Sequence, residues 1–425
     1  MKKCQIAIAG LGVVGAETAR HLIENSEALS QKAGMDLQLS AVSARSKGKD
    51  RGFDMAGLNW CDDPVALAQL DDIDVVVELM GGSDGPALAL TKAALSSGKH
   101  VVTANKAMIA LHGVALAQLA EDNNTQLFFE SAVAGGIPAL KILREGLSAN
   151  EISSVEGILN GTCNYILSEM EQTGRAFDDV LSEAQSLGYA EADPTFDVDG
   201  IDAAHKLTIL DAIAYGHKPD FDKLSVSGIR QVTDLDISYA LELGYNIRLI
   251  GRATAAGEAS VAPCLLPKAS PLAQVTGPLN AVHYKAEPVN TISAIGPGAG
   301  AGPTASAVLA DIIDIAAGRY NFPFGRPVGA LTVPDAIAQG AGHSCYYLRL
   351  EVTDKSGVLA EVTDVLKSCD ISVETLIQKG HDSDGSASLV MIVHETDAAA
   401  IKAASTALSD IADVRELSST IQVLS

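Results

Sequence analysis

Close to its start the chain reads Gly10-Leu11-Gly12-Val13-Val14-Gly15, three glycines in the spacing G-x-G-x-x-G, between a short apolar run at 6–9 and a helical pattern at 16–23. In that context the first glycine allows a tight turn, the second lets the backbone approach a pyrophosphate, and the third lets helix and strand pack closely. The helix start adds free N–H groups and a positive dipole that suit an anion. The segment reads as a dinucleotide-binding loop, with Gly10, Leu11, Gly12, Val13, Val14 and Gly15 as cofactor-binding residues. A glycine-rich turn of some other α/β protein is the competing reading.

Further strand-like runs at 37–42, 74–79, 100–103 and 126–129 alternate with helical stretches at 67–70, 86–97 and 112–121. This βαβ alternation predicts an α/β fold with a Rossmann-type, doubly wound parallel sheet over 1–133. Residues 134–334 are more mixed: a helix from Ile137, a strand at 154–159, helices near Tyr165 and Asp202, then short β-like runs, which together suggest an α+β substrate and dimerisation domain. A second glycine-rich turn at 296–302 precedes a helix at 304–317; 303–325 is expected to return to the first domain, with Gly302 at the cofactor. Residues 335–345 read as a linker, and 346–425 as strand, helix, strand, strand, helix, strand, a ferredoxin-like plait.

Two or three domains also suit 425 residues, more than one core usually serves. The formal charge of −23 is spread along the chain, which argues against nucleic acid or an anionic membrane as partner and for a small molecule. Six scattered cysteines show neither metal spacing nor a disulfide framework. With no signal-like start and no apolar stretch approaching the ~20 residues of a membrane span, a soluble protein of the reducing cytoplasm is expected.

Where an acid would bind the ribose of NAD, the chain has Val42-Ser43-Ala44-Arg45-Ser46-Lys47. Arg45, with Lys47 beside it, suits the 2′-phosphate of NADP, which predicts NADP preference or tolerance of both; solvated surface cations are the alternative. Glu78-Leu79-Met80-Gly81-Gly82 and Thr103-Ala104-Asn105-Lys106 end strands at the carboxyl edge, where such sheets bind ligands. Lys106 is therefore a candidate for cofactor or substrate contact, against the bland reading of a loop cation.

A carboxylate-rich segment, with Glu191, Asp193, Asp197 and Asp199, runs into an apolar helix that carries Asp202 and Lys206 four residues apart on one face. Partial desolvation there would lower a lysine pKa toward the acid/base range; a surface ion pair is the alternative. Cys163 reads as structural, and the chain offers no persuasive nucleophile of the kind a phosphorylating semialdehyde dehydrogenase needs.

Taken together, the glycine loop, Thr103-Ala104-Asn105-Lys106, Asn160-Gly161-Thr162-Cys163-Asn164-Tyr165-Ile166-Leu167 and the segment 188–206 resemble homoserine dehydrogenases of the form with a C-terminal ACT domain, over essentially the whole chain. The resemblance implies reversible NAD(P)-dependent interconversion of L-aspartate 4-semialdehyde and L-homoserine, a step of threonine and methionine biosynthesis. It implies Lys206 as proton donor and acceptor with Asp202 beside it, Lys106 between cofactor and substrate, and Glu191 at the substrate's amino group. Asn160, Thr162 and Asp197 join the implied substrate-binding set. A monovalent cation such as Na+ is implied near Glu130, Val133, Gly135 and Ile137, although that stretch could equally be an interdomain crossover. Threonine is the implied effector at the turn Asp354-Lys355-Ser356-Gly357-Val358-Leu359, where Ser356 replaces a common proline; a purely structural plait is the alternative. A homodimer through the central domain, or a homotetramer, is implied as well. Two other readings stay open: a non-catalytic dinucleotide and amino-acid sensor, and a dehydrogenase of another amino-acid-derived aldehyde.

Overall fold

The computed structural model describes residues 1–333, 343–379 and 385–424. Its first sheet joins β1 (Lys3–Ala9), β2 (Asp36–Ser43), β3 (Asn59–Trp60), β4 (Val75–Glu78), β5 (His100–Thr103) and β6 (Leu127–Phe128) in the order β3-β2-β1-β4-β5-β6, all parallel. Helices α1 (Val13–Glu24), α2 (Ser26–Ala33), α3 (Pro86–Ser96) and α4 (Lys106–Asp122) connect these strands. Ile6, Ala7, Ile8, Val75, Val76 and Val77 are all fully buried, because a parallel sheet covered on both faces needs continuous apolar runs. The strand order reverses between β1 and β4, so their carboxyl ends open the crevice that holds the glycine loop.

After a one-turn helix α5 (Ala139–Lys141) and a π-helical turn (Ile142–Gly146), the chain forms β7 (Glu151–Ile158), α6 (Gly161–Thr173), α7 (Phe177–Ser186), α8 (Thr195–Val198), α9 (Ile201–Tyr215), β8 (Ser225–Val226) and α10 (Asp234–Glu242). Then come β9 (Tyr245–Thr254), β10 (Ala259–Pro267), β11 (Leu279–Glu287) and β12 (Asn290–Pro297). These last four are not the short runs expected from the sequence. Arg248, fully buried in β9, breaks the apolar pattern while its guanidinium is held by Glu171 at 2.6 Å and by the carbonyls of Ile247, Ala273 and Val275. Helix α11 (Ala301–Ala316) packs Val308, Leu309, Ile312 and Ile315 into one core with Ile6 and Ile8 of β1 and Leu22 of α1.

The C-terminal part is β13 (His343–Thr353), α12 (Val358–Ser368), β14 (Val373–Lys379), β15 (Ser386–Asp397), α13 (Ala398–Ser409) and β16 (Val414–Val423). His343, Ser344 and Cys345, read from sequence as linker, begin β13 and pair with β15 or β16; the rest of that expected linker, up to residue 342, lies outside the described residues. The strands run antiparallel in the order β16-β13-β15-β14, the ferredoxin-like arrangement. The plait is not a separate layer: β16 pairs in parallel with β10 at Cys264↔Gln422 and Leu265↔Val423, making one sheet β12-β11-β7-β9-β10-β16-β13-β15-β14. The junction is locked beside it. Asp236, in the capping box that starts α10, accepts from Arg349 Nε (2.7 Å) and the Tyr347 hydroxyl (3.1 Å). Burial pushes the Asp236 carboxyl up, but Arg349 and Thr233 outweigh it and hold the group below the ordinary carboxylate range.

Among the described residues, no helix is long and apolar enough to cross a membrane.

Candidate active site

The glycine loop is shaped by what its backbone must avoid. Gly10 has φ +95°, and a Cβ there would stand 2.5 Å from the Leu79 carbonyl oxygen; a Cβ on Gly15 would stand 1.8 Å from that of Gly10. Gly12, by contrast, faces open space, and it caps α1 without a side-chain acceptor. The first turn of α1, which includes Val13 and Val14, therefore presents unpaired N–H groups over an open cradle, an arrangement that fits a dinucleotide pyrophosphate. Leu11 is buried behind the loop.

The end of β2 is tied to this cradle, since the Gly10 N–H donates to the Ser43 carbonyl at 2.9 Å. Arg45, two residues on, is exposed and has no hydrogen bond or ion pair among the described residues. Lys47 and Arg51 instead lie over the Trp60 ring, at 5.9 and 5.7 Å from its centroid. Gly302 sits in the first turn of α11, where it lines a hollow of about 280 Å3 with His21, Lys32 and Ser306.

Lys106 is the first residue of α4, and the sequence around it explains its placement. Asn105 caps the helix through its Oδ1 to the Met108 N–H (3.1 Å) while its Nδ2 donates to the Gly82 carbonyl (2.6 Å). Gly82 belongs to the turn after β4, where buried Glu78 accepts from the Met80 N–H (2.7 Å), the Gly81 N–H (3.3 Å) and the Thr103 hydroxyl (2.7 Å). Glu78 is thus committed to backbone organisation.

Across the crevice, α9 is buried on almost every side from Asp202 to Leu210. The Asp202 and Lys206 pair is accordingly no surface pair; the two residues are 6 % and 8 % exposed. Lys206 Nζ donates to Asp202 Oδ2 (2.7 Å) and to the Leu159 carbonyl (2.6 Å), while Lys106 Nζ lies 3.2 Å from Asp202 Oδ1. One carboxylate therefore holds two ammonium groups from two different parts of the chain. Burial works to raise the Asp202 carboxyl, but Lys206 and Lys106 together hold it far below the usual range.

Asn160, the N-cap of α6, donates from Nδ2 to Asp197 Oδ1 (2.8 Å) and Asp202 Oδ2 (2.9 Å). Thr162 donates to the Tyr189 carbonyl (2.6 Å). Burial, then the charge of Asp202, raises the Asp197 carboxyl. The Cys163 thiol is buried against the Asp197 carbonyl at 3.2 Å, and burial drives its pKa well up, as befits a structural cysteine. The Phe196 ring centre lies 5.7 Å from Lys106 Nζ, and both Phe196 and Phe221 pack as tilted rings against His205, at 5.6 and 4.5 Å between centres.

The carboxylate-rich segment does not assemble as a unit. Asp193 accepts the Thr195 N–H, Asp199 pairs with Arg230, and Glu191 is exposed on the loop before α8 with a carboxylate that has no partner among the described residues. The Leu159 carbonyl, Asn105 and the aromatic wall of Phe196 and His205 carry no assignment from sequence; of these only Asn105, an asparagine just ahead of a helix, left a readable signal.

Glu130, Val133 and Ile137 are buried where the first sheet crosses to the second unit, and Gly135, at φ +50°, lies so close to Gly298 that a Cβ would meet its carbonyl oxygen at 2.4 Å. Glu130 Oε1 accepts the Leu140 N–H (2.9 Å), but Oε2 is buried without a partner. Burial, reinforced by Asp311, pushes this carboxyl up to about 8.

Comparison with known proteins gives this site a family. The family model for homoserine dehydrogenase matches residues 138–313, and that for the homoserine dehydrogenase NAD-binding domain matches residues 10–130. The homoserine dehydrogenase of Neisseria gonorrhoeae is 44% identical over 420 residues, covering 96% of this chain and 95% of its own; that of Bacillus subtilis is 36% identical over 430. The crystal structure of a homoserine dehydrogenase from Thiobacillus denitrificans superposes with a TM-score of 0.94 at 40% identity, covering 100% of this chain and 99% of that one. A hyperthermophilic archaeal homoserine dehydrogenase in complex with NADPH gives 0.66 at 31% identity over 76% of this chain and 99% of its own. With both family models matched and relatives this similar along nearly the whole length, the chain belongs to the homoserine dehydrogenase family of NAD(P)-dependent oxidoreductases.

Proposed function

We propose that the Lys206–Asp202–Lys106 cluster carries the interconversion of L-aspartate 4-semialdehyde and L-homoserine; the observation behind this reading is the single buried carboxylate shared by two ammonium groups. Gly10, Leu11, Gly12, Val13, Val14 and Gly15 would hold a nicotinamide dinucleotide, and the chemistry it would supply is hydride exchange with the aldehyde or alcohol carbon. In the reducing direction Lys206 gives its proton to the carbonyl oxygen, so that aldehyde, hydride and proton sum to the primary alcohol; in the reverse direction it takes the proton back. Asp202 stays ionised and keeps Lys206 in place, and Lys106 adds positive charge where the alkoxide develops. Thr162, Asp197 and Glu191 hold the substrate's amino-acid end. A positioned proton donor contributes roughly 10²–10⁴-fold, so Lys206→Ala should lower kcat for NADPH oxidation with aspartate semialdehyde by about that factor. An unimpaired variant, or an inactive wild type, would exclude the mechanism.

Arg45 is proposed as the contact to a 2′-phosphate, which makes NADP the preferred cofactor; its free, exposed guanidinium beside the glycine cradle supports this. A hydrogen bond to a charged group is worth about 1.5–3 kcal/mol. Arg45→Ala should therefore raise the KM for NADPH roughly tenfold or more and leave that for NADH unchanged, and equal effects on both would remove the assignment.

The orphaned Glu130 Oε2 supports a monovalent cation held there with backbone carbonyls of Val133, Gly135 and Ile137. Sodium chloride should then raise the unfolding temperature above that in choline chloride of equal ionic strength, for wild type and not for Glu130→Gln. An identical response of the two proteins speaks against the site.

The units 1–133 with 303–325, 134–334 and 346–425 are proposed as cofactor, substrate and ACT regulatory domains. Threonine is proposed as the effector at 354–359, and the sheet shared through β10 and β16 offers a route by which it reaches the substrate domain. L-Threonine titrated against the full chain should depress the rate; if turnover is untouched, the plait is structural.

A further inference from the structure

We infer that Asn160 is a positioning residue, its carboxamide splinting Asp197 to Asp202 and, through Asp202, both lysines, instead of binding substrate as its motif suggests. The inference rests on the reading of Lys206 and Asp202 as the reacting pair.

Asn160 is 4 % exposed, and both of its side-chain amide hydrogens are committed to protein acceptors. Its Oδ1 accepts the Cys163 N–H (2.8 Å) at the start of α6. The two hydrogens of Nδ2 match the two acceptors within reach, Asp197 Oδ1 and Asp202 Oδ2. No donor is left for a ligand.

Asp202 Oδ2 accepts from both Asn160 and Lys206, which fixes the rotation of that carboxylate and leaves Oδ1 turned to Lys106. The neighbouring Leu159 carbonyl holds Lys206 Nζ from the other side. Two adjacent residues at the end of β7 thus grip both ends of the Asp202–Lys206 pair. Aspartate at 160 would cap α6 equally well but set a third carboxylate against two; serine would also cap, but its single hydroxyl cannot bridge both acids. Among the described residues, Lys106 from α4, Cys163 from α6, Asp199 just after α8, and His205 and Lys206 from α9 are the other titratable groups around the two acids. Against that field, donation from Asn160 favours the ionised form of both.

The test compares Asn160→Ser and Asn160→Asp with wild type and Lys206→Ala in the full chain. Misplacing a reacting group by about 1 Å can cost ~10²-fold, so kcat should fall roughly 10- to 100-fold in both variants. The KM for aspartate semialdehyde should rise by a smaller factor than kcat falls, because Asp197 at the substrate's amino-acid end loses the same donor; NADPH binding should be unchanged, and the acid limb of the kcat profile should move to higher pH in Asn160→Ser, because carboxylates without the donor keep their protons longer. Both variants retain a capping side chain, so either one that folds decides the matter. A raised KM with kcat preserved would make Asn160 a substrate ligand and overturn the inference, as would wild-type values throughout. Normal turnover by Lys206→Ala would instead overturn the underlying reading of the site, which separates the two failures.

Discussion

A carboxylate buried as deeply as Asp202 is tolerable only because positive charge reaches both of its oxygens. Removing such an ion from water costs several kcal/mol even after relaxation, and a lone partner seldom repays that. Here Lys206 comes from the next turn of the same helix, Lys106 from the edge of the first sheet, and Asn160 adds a neutral donor. The arrangement is also a bridge between units, since Lys106 begins α4 and Asp202 lies on α9. The ion pair of Lys106 with Asp202 thus ties α4 to α9 across the crevice, and the buried carboxylate depends on both helices for its compensation.

Much of the remaining architecture serves to keep those charges at fixed positions. Glu78 spends its carboxylate on the turn after β4 and on Thr103, and Asn105 joins that turn to the start of α4, so the base of Lys106 is held by two strand ends, those of β4 and β5. On the other side the end of β7 supplies the Leu159 carbonyl and the Asn160 carboxamide. Both supports lie at strand ends, where backbone leaves the ladder and polar groups become free to organise a site.

How much of this could be read from sequence depends on the range of the interaction concerned. The glycine loop is a local device, and its spacing carries its geometry: Gly10 and Gly15 tolerate no side chain where they stand. Asp202 and Lys206 are four residues apart on one helix, so their pairing was legible too. Their tie to Lys106, and Asn160's grip on two acids, arise from packing between distant segments that no periodicity encodes. The acidic segment is less legible for a related reason: composition sets Asp193 and Asp199 beside Asp197, whereas Asp193 accepts the Thr195 N–H, Asp199 pairs with Arg230, and Asp197 reaches Asn160. In the central sheet a buried Arg248 interrupts the alternation that would have marked β9 as a long strand.

The C-terminal plait shows the same limit at the scale of a domain. Its βαββαβ order is local and was readable, but the pairing of β16 with β10 joins residues more than a hundred positions apart, and it makes the plait an extension of the central sheet. The buried Arg349–Asp236 pair gives that union an energetic edge: removing one partner of such a pair leaves a charge stranded away from water, a loss of about 3–5 kcal/mol. Asp236 is held below the ordinary carboxylate range, so its contribution is present above the unfolded-state pKa and fades as pH falls through the folded one. The same carboxylate completes the capping box of α10, and α10 packs against α6 and β9. A displacement of the plait therefore cannot stay within it: it must either break the ion pair or carry α10 with it, and the helix beside α10 is the one that Asn160 caps.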